Sequence, residues 1–202
     1  MDYKKTHISC LYNDLIKEYG SEQGKRLYAL MCKKFANLCE KEMKSESHAI
    51  NEHVFERLLP MISMYLTLIE NDFTQEEALR IAHKEIQHHA SNMAEENAKL
   101  KKMPFTYGLF KIFAKSHMKK KYPIEGFTVE WKRHDCKEVH FNIVRCIYKE
   151  MCEKYHCPEL CTVFCQSDIT AFAGYRPKIR FERSGTIGEG ANCCDFHFIH
   201  GN

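Results

Sequence analysis

Phe127-Thr128-Val129-Glu130-Trp131-Lys132 and, after a polar break, Val139-His140-Phe141-Asn142-Ile143 are the stretches that decide the fold. Apolar and polar residues alternate in both runs, the period of strands with one buried face. From Thr6 to Tyr122 the period is different. Leu11, Leu15, Ile16 and Tyr19 recur at three- and four-residue spacing, which is helical. Gly20 reads as a stop and Ser21 as the N-cap of a second helix carrying Leu27, Leu30, Met31, Phe35, Leu38 and Cys39. A third helix is expected from about Asn51 through Ile69, kinked at Pro60. Thr74, followed by Glu76 and Glu77, starts a fourth that runs to about Lys101 and ends before Pro104. A fifth covers about Phe105 to Lys121 and ends before Pro123.

Working outward from the two strands, Cys146 to His156 reads as a helix, and Pro158 suits the first turn of another that reaches about Ala173. Ile179, Phe181 and Arg183 share one face of a third strand, and Cys194, Phe196 and Phe198 one face of a fourth. Gly185, Gly188 and Gly190 lie in the turn between them. The pattern predicts an α+β fold. A helical N-terminal region spans 1–122, and a small antiparallel sheet packed with helices spans 123–202, the two forming one compact unit.

A chain of 202 residues with 44% hydrophobic and 28% charged residues has the composition of a single globular domain. Lys and Arg total 30 against 27 Asp and Glu, and the resulting +3 is too weak a basic balance for a dedicated nucleic-acid partner. Lys101–Lys102 and Lys119–Lys121 read as solvated helix ends, with no interleaved aromatic residues to stack on bases. The most apolar stretch, Leu58 to Ile69, is interrupted by Pro60, Ser63 and Thr67 and is shorter than a membrane span. The N-terminus enters an amphipathic pattern directly, with no signal peptide, so a cytoplasmic location and reduced thiols are expected for the 11 cysteines. No Cys-x-x-Cys occurs. The long amphipathic helices offer faces through which a homodimer could pair.

The chemistry is expected in the last third. Cys161, Cys165, Asp168 and Phe172 fall on one helical face, which places Asp168 on or beside the stripe facing the sheet. A carboxylate there needs a partner, and strand alternation offers Arg183. The bland alternative is a structural ion pair. Cys194 shares the inward face with Phe196 and Phe198, while Asp195 and His197 point outward. A thiolate near Arg183 could act as nucleophile; a buried cysteine more often serves as a small apolar residue. No metal or other cofactor is expected. Glu85 and His88 have i, i+3 spacing, but the neighbouring His89 must point elsewhere. Cys157, Cys161 and Cys165 recur every four residues without a matching set of ligands elsewhere.

Cys165-Gln166-Ser167-Asp168, Phe181-Glu182-Arg183-Ser184-Gly185-Thr186-Ile187, Glu189-Gly190-Ala191 and Cys194-Asp195-Phe196-His197-Phe198 together resemble the L-2-amino-thiazoline-4-carboxylic acid hydrolase family. The similarity runs from about Phe141 to Ile199 and includes Arg145-Cys146 and the Pro158-Glu159-Leu160 helix start. The final helix–strand–strand layout is also faintly similar to the small-molecule-binding module named after vinyl reductases. The first resemblance implies a hydrolase of bacterial cysteine metabolism that opens a cyclic C–N/C–S substrate bearing a carboxylate, giving N-carbamoyl-L-cysteine. Asp168, Cys165 and Cys194 are then the candidate catalytic residues. Arg183, Thr186, Asp195 and Cys146 are the candidate substrate-binding residues. A non-catalytic binding or sensor domain and a thiol-rich metal protein are the alternatives.

Overall fold

The computed structural model describes residues 2–201; Met1 and Asn202, the outermost residues of the two expected regions, lie outside it. The helical part comprises α1 (Leu11–Tyr19), α2 (Ser21–Lys41), α3 (His48–Asn51), α4 (Leu59–Ile69), α5 (Gln75–Leu100) and α6 (Thr106–Lys121). Then follow β1 (Phe127–His134), β2 (Glu138–Cys146), α7 (Ile147–Lys154), α8 (Leu160–Ala173), β3 (Ile179–Glu182) and β4 (Cys194–His200). The α+β class expected from the change of period is the class observed. No helix among the described residues is long and apolar enough to cross a membrane.

Two details of the helical part differ from the expectation. Ser21 is the first residue of α2 and makes no capping bond; Gly20 does the work at both ends. With φ at +82°, Gly20 returns its N–H to the Ile16 carbonyl and gives its own carbonyl to Gly24. Gly24 then lets α2 press on α1, since a Cβ there would sit 2.8 Å from the Ile16 nitrogen.

The second difference concerns Pro60. The distortion lies before it, in a π-helical stretch over Glu52–Leu58 that joins α3 to α4. Proline brings no N–H to the helical ladder, and the Glu56 carbonyl of the same stretch bonds outside it. That carbonyl accepts the backbone N–H of His7 at 3.0 Å, which ties the N-terminal segment to the helix.

The sheet is antiparallel throughout, in the order β1-β2-β4-β3. Its inner face carries buried Val139, Phe141 and Ile143 of β2, Ile179 and Phe181 of β3, and Cys194, Phe196 and Phe198 of β4. Each such aliphatic or aromatic side chain contributes about 1.5–3 kcal/mol on burial. From α8, Phe172 meets Phe181 and Phe198 edge to face. Behind α8 lies α5, where Asn97 Nδ2 donates to the Ala171 carbonyl at 2.8 Å. One buried cluster therefore runs from Tyr3 to Phe198, across the 122/123 boundary at which the sequence period changes.

Candidate functional site

Arg183 follows the last residue of β3 and keeps the inward direction of Ile179 and Phe181. Its side chain is only 6% exposed. The guanidinium lies 6.0 Å from the Phe181 ring centre and 5.8 Å from that of Phe196, close enough for cation–π attraction. Its Nη1 donates to Asp168 Oδ2 at 2.9 Å and its Nη2 to the Cys165 carbonyl at 3.1 Å. Both contacts are on α8, so one arginine locks the strand end to the helix and fixes the carboxylate.

Asp168 keeps 30% of its side-chain area open, crowded but reachable. Burial pushes its carboxyl up to about 7, and the adjacent Arg183 pulls the other way. A carboxylate that titrates near neutrality and is held by a fixed cation is suited to taking and returning a proton.

The thiols around this pair behave differently. Burial pushes Cys194 up to about 11, and its sulfur accepts the Ile187 N–H at 3.3 Å. The neighbouring Cys161 thiol, together with burial, pushes Cys165 up. Cys146, at the β2–α7 junction, is pushed up to about 12 by burial. Above the helix, Gly188 of the β3–β4 loop approaches so closely that a Cβ would lie 3.0 Å from Cys165 Sγ and 3.1 Å from Cys161 Sγ. Cys194 and Cys165 are thus protonated under a tight loop, whereas hydrogen bonds from the Cys152 and Cys165 thiols pull the Cys161 thiol below its usual range.

Thr186 and Asp195 build that loop. Thr186 is fully buried; its Oγ1 accepts from Glu189 N at 3.2 Å and donates to a Glu189 carboxylate oxygen at 2.8 Å. Asp195 faces away from Cys194 and accepts the backbone N–H groups of Ser184 and Gly185 and the Ser184 hydroxyl. Burial works against its charge, but these donors hold its carboxyl below the usual range. The structure thus brings Asp168, Arg183, Cys165 and Cys194 together, with Cys146 close by. It commits the Thr186 and Asp195 side chains to the loop.

The model of the family described as L-2-amino-thiazoline-4-carboxylic acid hydrolase matches residues 51–198. The chain belongs to this family. No curated protein and no solved structure matches it.

The family match takes in a polar group that the sequence reading passed over. Glu52, His53 and Arg57 project from the π-helical stretch toward α6 and α7. Arg57 Nη2 and Lys121 Nζ donate to the two carboxylate oxygens of Glu52, at 2.6 and 3.0 Å. These donors outweigh burial and hold the Glu52 carboxyl down at about 2. His53 Nε2 faces the Lys121 carbonyl at 2.8 Å, so it carries the proton. Its Nδ1 then accepts the Tyr148 hydroxyl at 2.8 Å, and burial lowers the ring to about 4, consistent with a neutral imidazole. Tyr122 connects this group to the site: burial, then the charge of Asp168, push its phenol up to about 12, while Arg57 pulls it down. The available signal was a set of charged residues inside an apolar helix containing Val54, Phe55 and Leu58.

A surface cavity of about 380 Å³ lies elsewhere, between the start of α6 and the end of β4, with Tyr107, Lys111, Lys178 and His200 in its wall. It does not contain the Asp168–Arg183 pair.

Proposed function

We propose that the chain is a hydrolase that opens a small cyclic C–N/C–S substrate, of the kind of L-2-amino-thiazoline-4-carboxylate, with Asp168 as general base. The observation that carries this reading is the Asp168 carboxylate, crowded enough to titrate near neutrality yet fixed by Arg183 at 2.9 Å. Asp168 takes a proton from water as its oxygen adds to the ring carbon between nitrogen and sulfur. The C–S bond of the tetrahedral adduct then breaks. The leaving sulfur takes the proton from Asp168, the hydroxyl proton of the adduct passes to the former ring nitrogen, and the resulting urea on that nitrogen gives N-carbamoyl-L-cysteine. One water is consumed and nothing is oxidised or reduced.

Water fits the nucleophile role better than either thiol. Cys194 and Cys165 are held protonated by burial and by neighbouring thiol, and the approach to Cys165 is narrowed by Gly188. Arg183 acts first as a positioning residue, since its two Nη atoms are engaged by Asp168 and by the Cys165 carbonyl. Its remaining N–H groups are what it can offer a substrate carboxylate.

The test is product formation from L-2-amino-thiazoline-4-carboxylate by wild type and by Asp168→Asn. Turnover by the wild type with a roughly 10²–10⁴-fold loss in the folded variant is expected. Wild-type protein that binds the compound without consuming it, or an Asp168→Asn variant of full activity, would overturn the assignment.

A further inference from the structure

Away from this site, Glu85 on α5 is 1% exposed, and neither of its carboxylate oxygens has a hydrogen-bond donor. Burial and the neighbouring Asp14 carboxylate push its carboxyl up to about 8, so it keeps a proton unless a positive partner takes that place. One turn further along α5 stands His88, whose Nε2 is 3.1 Å from Asp14 Oδ2 of α1. One donor atom from each of Asp14, Glu85 and His88 can be chosen so that all lie within 4.8 Å of one another. Beside Glu85 and His88, which share one face of α5, the fold supplies Asp14 as a third donor.

We propose that Asp14, Glu85 and His88 form a binding site for a divalent transition-metal cation of the zinc, cobalt or manganese class, clamping α1 to α5. An imidazole with two carboxylates suits these borderline ions better than magnesium or calcium, which favour all-oxygen shells. Ligands about 2.0–2.2 Å from a metal stand roughly 3–3.5 Å apart, and the His88–Asp14 pair already has that spacing. Glu85 provides the buried ligand. His88, 44% exposed, marks the side from which the ion enters and where water completes its shell. Lys84 is the competitor: its Nζ lies 3.0 Å from Asp14 Oδ2. Its own side chain is 39% exposed, so it can swing into solvent when the ion arrives. Asp14 precedes the residues matched by the family model, and the proposal does not depend on the hydrolase reading.

A second group on the outer face of the sheet, Glu138, His140 and His197, also gathers possible ligands and must be separated from the first. Its Glu138 is already paired with His197 Nδ1 at 2.6 Å and with Arg133 Nη1 at 3.2 Å, and it has no orphaned atom. The experiment is a Zn²⁺ titration by calorimetry and a Co²⁺ titration followed by visible absorption, on chelator-treated, tag-free protein. Wild type, Asp14→Asn, Glu85→Gln, His88→Ala and His140→Ala are compared, with melting temperature read alongside. The expected result is one tight equivalent that raises the melting temperature. Affinity should fall roughly 100-fold or more in His88→Ala and Asp14→Asn and stay unchanged in His140→Ala. Both deciding residues are partly exposed, so the test stands even if Glu85→Gln fails to fold. Absence of binding in the wild type, unchanged binding in His88→Ala and Asp14→Asn, or loss confined to His140→Ala would each overturn the proposal.

Discussion

In the helical part, Tyr3 Oη and Ser63 Oγ both donate to the Pro60 carbonyl, and Thr67 Oγ1 donates to the Ser63 carbonyl. In the sheet part, the comparable interior position is taken by a guanidinium, with a carboxylate at the rim and protonated thiols beside it. Hydroxyls are buried at little cost because helix carbonyls accept a second bond easily. A charge at the edge of a core is tolerable only with a fixed partner and some contact with water. The chain retains charge at the margin of its core where α8 meets β3 and β4, and again around Glu52 and Arg57 beside α6 and α7. Glu85 differs from both groups in being buried with no hydrogen-bond donor, and for that reason it points to a ligand.

The comparison can be broken most directly at Arg183. Replacing it with Ala leaves Asp168 crowded and unpaired, and about 3 kcal/mol of stability should be lost in urea denaturation, together with turnover. A variant as stable as wild type would mean that the sheet part does not depend on this charge pair. A somewhat smaller effect is expected from pH. A general base must be ionised, and burial holds Asp168 up at about 7. So kcat/KM should rise with pH through neutrality and level off above it, and at pH 5 it should lie roughly 100-fold below the plateau. A profile that falls across this range would assign Asp168 the role of acid. The matching cut in the helical part is Tyr3→Phe, which removes one hydroxyl from the Pro60 carbonyl while Ser63 remains; calorimetric melting should show a loss of about 1 kcal/mol. The smallest effect belongs to the thiols. Cys194→Ser and Cys165→Ser should each keep activity within roughly tenfold of wild type, since a positioned water needs neither sulfur. Loss of all turnover in either would give that thiol the nucleophile's role.

Much of this was legible before the structure, and the reason differs by residue. Cys194, Phe196 and Phe198 announce a buried strand face because a period of two has only one register with all three inside. Arg183 could be matched to Asp168 because strand and helix periodicities each fix a direction. What escaped depends on contacts between distant segments or on backbone detail that periodicity does not carry. The second bond of Arg183, to the Cys165 carbonyl, is of this kind. So is Asp14 facing Glu85, where two amphipathic helices cross at a register neither contains. From 51 to 69 the apolar spacing suits α- and π-helix alike, so Pro60 suggested a kink at its own position, whereas the chain absorbs the strain over the preceding turn and a half.

The bond from His7 to the Glu56 carbonyl has a further consequence, for the order of assembly. During synthesis His7 leaves the ribosome well before Glu56 exists, so the N-terminal segment must wait for its acceptor. Local bonds shape the segment itself, but its bond to Glu56 joins distant parts of the chain and forms only when the π-helical stretch is in place. Substituting Pro60 by Ala would supply a backbone N–H that, were the stretch to revert to an α-helical register, would compete with the N-terminal strap for the Glu56 oxygen.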